Sequence, residues 1–160
     1  MPEPIAFTIP GRVGGKGRPR VSMRGRYPVV HSDPKTVNAE AMVRDFANRA
    51  MNGRPTLDGP VDLQIIILQE PPQSWSRRRR EQTKWITGRP DLDNVAKLIG
   101  DALNGIVWRD DAQVASLRIQ RCYVMSVGER VRVVIHDLSN DVPLFDSQPA
   151  SAPLFREASA

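Results

Sequence analysis

Apolar residues recur at every second position in several short stretches of this chain and at helical spacing in two longer ones. Ile5, Phe7 and Ile9 alternate with Ala6 and Thr8, which predicts an opening strand closed by Pro10-Gly11. The stretch up to His31 is glycine-rich, lacks helical periodicity and reads as a long loop, a feature that is usually functional or disordered inside a compact domain. Ser32-Asp33-Pro34 is a helix start, with a capping side chain followed by proline at the first helical position. Ala39, Met42, Val43, Phe46, Ala47 and Ala50 form the apolar stripe of that helix, and Gly53-Arg54-Pro55 stops it.

Val61, Leu63, Ile65 and Ile67 then alternate with Asp62 and Gln64. Ile66 and Leu68 make both faces apolar, as in a central strand covered on both sides in its second half. After Pro90 the spacing predicts a helix from about Leu92 to Leu103, with Leu92, Val95, Ile99 and Ala102 inward and Asn104-Gly105 ending it. Leu117, Ile119 and Tyr123 alternate with Ser116, Arg118, Gln120 and Cys122. Val131, Val133 and Ile135 follow across a Gly128-Glu129 turn, so the last two strands are expected to form a hairpin.

This order predicts one α/β (α+β) domain over residues 1–138, a small mixed sheet packed by two main helices. Residues 139–160 are acidic and rich in Pro, Ser and Ala, and read as a disordered tail. Within the tail, Val142-Pro-Leu-Phe145 and Ala152-Pro-Leu-Phe155 repeat a short apolar pattern. Chance in a biased composition accounts for it; a duplicated docking peptide for a partner such as a replication clamp is the sharper reading.

Composition narrows the class. With 160 residues, 40% apolar and 26% charged, the chain has the balance of one soluble domain. No run approaches the roughly 18 apolar residues of a membrane span, and no secretory pattern opens the chain, so no membrane is expected as a partner. The lone Cys122 excludes a disulfide framework and a cysteine-rich zinc site, and a cytoplasmic location is expected.

Charge is unevenly spread around a net +5. Gly11 to Arg26 carries Arg12, Lys16, Arg18, Arg20, Arg24 and Arg26 with no acid. Trp75 to Arg89 carries Arg77, Arg78, Arg79, Arg80, Lys84 and Arg89 against Glu81 alone. Two such segments suit a polyanion, because each basic contact to a phosphate releases a condensed counterion. A solvated surface is the bland alternative, and the arginine run also fits a localisation signal. Charge does not distinguish DNA from RNA.

The candidate chemistry lies between Gly88 and Gln113. Asp91 and Asp93 would share one face of an extended segment, with Leu92 turned to the core, and Pro90 favours extended geometry just before them. Asp93, Lys97 and Asp101 recur every four residues and line one helix face. Asp110-Asp111 lies after the next turn, where a returning chain can approach the first pair. Clustered carboxylates repel unless a cation lies between them, and Mg²⁺ takes a few carboxylates with water and phosphate. Acids that hold a metal, flanked by basic segments, point to phosphodiester hydrolysis, with Lys97 stabilising the transition state. Helix capping and ordinary turn chemistry account for the same aspartates, and an ion pair with Asp93 or Asp101 for Lys97.

At Arg89-Pro-Asp-Leu-Asp-Asn-Val-Ala-Lys97, Asp101-Ala-Leu-Asn-Gly105 and Trp108-Arg-Asp-Asp-Ala-Gln-Val114 the chain resembles the RusA family of Holliday junction resolvases. Ile9-Pro10 and Gly15-Lys-Gly-Arg-Pro-Arg20 share the likeness, which covers about residues 5 to 137. The resemblance implies a homodimeric endonuclease that uses Mg²⁺, with Mn²⁺ as a substitute. It would nick a four-way junction symmetrically, leaving 5′-phosphate and 3′-hydroxyl ends. It also implies that Asp91, Asp93 and Asp111 are the essential metal-binding acids and Lys97 the essential lysine, with Asp110 and Asp101 supporting. A non-catalytic nucleic-acid binder and a metal-dependent nuclease for flaps or RNA are the competing classes.

Overall fold

The computed structural model describes residues 3–17, 20–31, 33–125 and 128–140, with backbone alone at 20, 21 and 29–31. Arg18, Ser32 and both tail motifs lie outside the described residues, and the side chain of Arg20 does too. Among the described residues six strands and three helices follow in order: β1 (Ile5–Pro10), β2 (Arg20–Arg24), β3 (Tyr27–His31), α1 (Pro34–Met51), β4 (Val61–Gln69), α2 (Arg77–Gln82), α3 (Leu92–Leu103), β5 (Val114–Tyr123) and β6 (Arg130–Asp137). A single turn of 3₁₀ helix, Asp111–Gln113, precedes β5.

Four strands make a mixed sheet in the order β1-β6-β4-β5. β4 runs parallel to β5 and antiparallel to β6, which also pairs antiparallel with β1. The expected hairpin of the last two strands therefore does not form: β4 lies between them. The physical reason is in β4 itself. A nine-residue strand with Ile65, Ile66, Ile67 and Leu68 gains most by pairing along both edges, and the connection after β5 crosses its end, where Val124 N–H donates to Gln69 O at 2.9 Å.

One sheet face is covered. Ile5, Phe7 and Ile9 of β1, Val131, Val133 and Ile135 of β6, and Val61, Leu63, Ile65 and Ile67 of β4 form a core with Val43 and Ala47 of α1 and Val95, Leu98 and Ile99 of α3. The second face of β4 is only half-buried, which corrects the expectation of two-sided cover. Ile66 and Leu68 stand in rows with Arg132 and Arg130 of β6, which face the same way.

Local signals explain the helices. Asp33 caps α1 by accepting from Lys35 N–H at 2.9 Å, with Pro34 in the first turn, and left-handed Asn52 ends the helix one residue before Gly53. α3 spans the predicted residues, with Val95, Ile99 and Ala102 buried and Leu92 half-buried. The glycine-rich segment after β1 is shorter as a loop than expected, because β2 and β3 pair as a hairpin. The basic stretch after β4 likewise contains a helix, α2, capped by Ser76.

Candidate active site

The site is built at the N-terminal end of α3. Asp91 is the extended residue before the helix (φ −67°, ψ 145°), and its carbonyl accepts from Val95 N–H. Its carboxylate makes no capping bond and is exposed. Asp93 is already in the first helical turn, not in an extended lead-in as the sequence suggested.

Further along α3, Lys97 is exposed and forms no ion pair among the described residues. Of the two acids that could have paired with it, Asp101 is taken by Lys16, whose ammonium bonds to its carboxylate. That bond holds the Lys16 ammonium above its ordinary pKa; Glu40 and Asp111 act in the same direction, so Asp111 lies within electrostatic reach of Lys16. Lys16 is thus part of the acidic face of α3 and not a free phosphate contact. The loop that carries it packs closely on α3: Lys16 N–H donates to Asn94 O at 3.0 Å, and a Cβ on Gly15 would come within 2.9 Å of Pro90 and 3.1 Å of Asn94.

Asp110 and Asp111 divide their roles. Asp110 caps the 3₁₀ turn by accepting from Ala112 N–H at 2.8 Å, while Asp111 is exposed without such a bond. Gln113 holds the turn in place. Its Oε1 accepts from Arg109 and Asp110 N–H, and its Nε2 donates to Leu57 and Gly59 carbonyls, both at 2.9 Å. Below it, fully buried Trp108 donates from Nε1 to Asn104 Oδ1 at 2.7 Å.

Among the described residues no three His, Cys, Asp or Glu side chains stand together at metal spacing. The convergence of Asp91, Asp93 and Asp111 expected from the sequence is not formed in this conformation. The donor chemistry nevertheless suits Mg²⁺, which binds through one or two carboxylates with water and phosphate in preference to an all-protein cage. Asp91, Asp93 and Asp111 are exposed carboxylates of that kind, whereas Asp110 and Asp101 are committed to a cap and an ion pair.

The basic residues also divide. Arg77 pairs with Glu81 at 2.9 Å, Arg79 stacks over the Trp75 ring at 4.0 Å, and Arg80 donates to the carbonyls of Trp75 and Gln73. Arg78, Lys84 and Arg89 are exposed and form no ion pair among the described residues. Beside α2 a hollow of about 350 Å³ is lined by Pro71, Arg80, Lys84, Tyr123, Val124 and Met125, with cations and no acid on its wall.

Sequence reading passed over one residue here. Arg121 is 4% exposed, on the covered face of β5 in register with Ile67. Its guanidinium donates to Pro90 O at 2.9 Å and to Gly88 O. The signal was available: Arg121 occupies the apolar phase of Leu117, Ile119 and Tyr123.

The profile of the endodeoxyribonuclease RusA family matches residues 10–136, from the end of β1 through nearly all of β6. The chain belongs to that family. A relative, the uncharacterized protein YqaN of Bacillus subtilis (strain 168), is 32% identical over 143 residues, which cover 84% of this chain and 97% of YqaN. Membership of the RusA family makes the chain a DNA endonuclease of the Holliday junction-resolving type. The RusA match takes in every acid considered above. No helix among the described residues is long and apolar enough to cross a membrane.

Proposed function

We propose that this protein acts as a homodimer in the bacterial cytoplasm. There it would resolve four-way DNA junctions in recombination and repair by paired symmetric nicks, with Mg²⁺ as cofactor and Mn²⁺ as a substitute. The observation that carries the reading is Asp91. It holds the capping position of α3 yet caps nothing, so its carboxylate is spared for another partner.

Asp91, Asp93 and Asp111 would hold the ion. Bound Mg²⁺ supplies a Lewis acid and an activated water. Lys97, exposed on the same helix, neutralises charge that builds on the phosphate during attack. Arg78, Lys84 and Arg89 bind flanking phosphates and orient the strand. A water oxygen bonds to phosphorus as the bond from phosphorus to the 3′-oxygen breaks, and the 3′-oxygen takes a proton from solvent, which leaves 5′-phosphate and 3′-hydroxyl ends. An isologous dimer suits a junction because it presents one site to each of two equivalent strands.

The test compares a four-way junction, a linear duplex and single strands as substrates for the wild type and Asp91→Asn. In Mg²⁺ the wild type is expected to cut the junction in paired nicks, and Asp91→Asn to bind it without cutting. Light scattering should give twice the chain mass. Cutting that survives chelation, or full activity in Asp91→Asn, would overturn the proposal.

A further inference from the structure

Arg121 meets the segment that leads into Asp91 at three alternating positions. Its backbone carbonyl accepts from Ile86 N–H at 3.2 Å, and its guanidinium donates to the carbonyls of Gly88 and Pro90. Neighbouring bonds extend the seam: Tyr123 N–H donates to Lys84 O at 2.8 Å, and Trp85 bridges Cys122 antiparallel. The Lys84–Pro90 segment is therefore docked along the exposed edge of β5 and ends on a buried side chain.

The last clamped carbonyl belongs to the peptide that joins Pro90 to Asp91. Arg89, between the two clamped carbonyls, is exposed. One buried guanidinium thus sets the backbone on both sides of a phosphate-binding candidate and directly before a metal-binding one. Its cost to the fold is plain. The residue is almost fully buried, and among the described residues its Nε has no hydrogen-bond partner and no carboxylate forms an ion pair with it. Packing needs would be met by an apolar side chain at least as well, because a buried charge is poor value for stability alone.

We infer that Arg121 is a positioning residue of the active site: it holds the Gly88–Pro90 backbone so that the Asp91 carboxylate stands where a divalent cation is bound. The inference rests on the role given to Asp91 under the proposed function. Groups that orient metal ligands in this indirect way typically change metal affinity or activity by about 10–100-fold when removed.

The test uses full-length wild type, Arg121→Met and Arg121→Lys. Mn²⁺ binding is measured by calorimetry without DNA, and single-turnover junction cutting is titrated with Mg²⁺. Thermal unfolding and junction affinity in chelator serve as controls. Arg121→Met is expected to raise the Mn²⁺ dissociation constant and the Mg²⁺ half-saturation about tenfold or more. It should leave junction affinity in chelator within about threefold, and Arg121→Lys, which keeps one donor, should recover part of the loss. If Arg121→Met is unfolded at the assay temperature, Arg121→Lys alone carries the test, with a smaller shift of the same sign. Wild-type Mn²⁺ affinity and Mg²⁺ dependence in a folded variant would overturn the inference, as would a lysine that restores stability but not metal affinity. A wild type that neither binds Mn²⁺ nor cuts junctions would instead remove the Asp91 assignment.

Discussion

Lys16 and Asp101 are bonded across 85 positions of sequence, which ties the loop after β1 to the polar face of α3. Two more bonds hold the loop: Lys16 N–H donates to Asn94 O of α3, and Gly17 N–H to Thr36 Oγ1 of α1 at 2.9 Å. The first basic segment is anchored at its middle and continues from there into the β2–β3 hairpin. Asp101→Asn should weaken junction binding several-fold and speed amide exchange over residues 12–17. Unfolding free energy should change by no more than about 1 kcal/mol, since a half-exposed pair contributes little. Unchanged exchange would refute the tether.

Among the described residues Lys97 has no ion-pair partner to lose, so its removal separates chemistry from folding. Lys97→Met should keep the melting temperature within the change expected of about 0.5 kcal/mol. Single-turnover cutting should fall by roughly 100-fold or more, as when one preorganised electrostatic contact is removed. Wild-type cutting by Lys97→Met would exclude the role assigned to it.

Gln113 joins the turn of Asp110 and Asp111 to the backbone between α1 and β4. Gln113→Leu keeps the volume but removes four hydrogen bonds, and should destabilise the protein by about 1–3 kcal/mol, as unsatisfied polar groups do. Cutting should fall further than Asp110→Ala lowers it, because Asp111 then loses its support. Denaturant unfolding and junction cleavage on both variants check this.

Glu129 receives Arg12 Nε at 2.8 Å and 2.9 Å, and that bond holds its carboxyl below the ordinary glutamate value. A lowered folded pKa contributes stability above the unfolded value, which is lost as pH falls through the folded one. The wild type should therefore exceed Glu129→Gln in stability by about 0.2–1 kcal/mol near neutral pH. The gap should close below about pH 4 and shrink in salt. Paired melting curves from pH 3 to 7 measure it.

Much of this molecule was legible before any coordinates. The ends of α3 were set by Pro90 and Asn104-Gly105, and its stripe fixed which side is buried. The aspartates and Lys97 were visible as a pattern. Pairing was not: Gly128-Glu129 looks like a hairpin turn locally, but the apolar demand of β4 outweighs it. The β2–β3 hairpin escaped notice because Val21 and Met23 alternate with Arg20, Ser22 and Arg24 over only five residues, and Pro28 interrupts the second strand. Counting charges also overstated the free cations, since Arg77, Arg79 and Arg80 are occupied within their own segment. Arg121 was hidden by its charge, which drew attention away from the inward phase that it occupies.

The position of β6 has a bearing on how the chain acquires its shape. Ile5 pairs with Ile135, so among the described residues β1 meets its neighbour in the sheet in the strand most distant from it along the chain. Closing so wide a loop makes folding slow relative to a chain of local hairpins. On the ribosome, the N-terminal strand must wait until residues 130–137 have emerged. A message cut short before them would release a chain with no completed sheet.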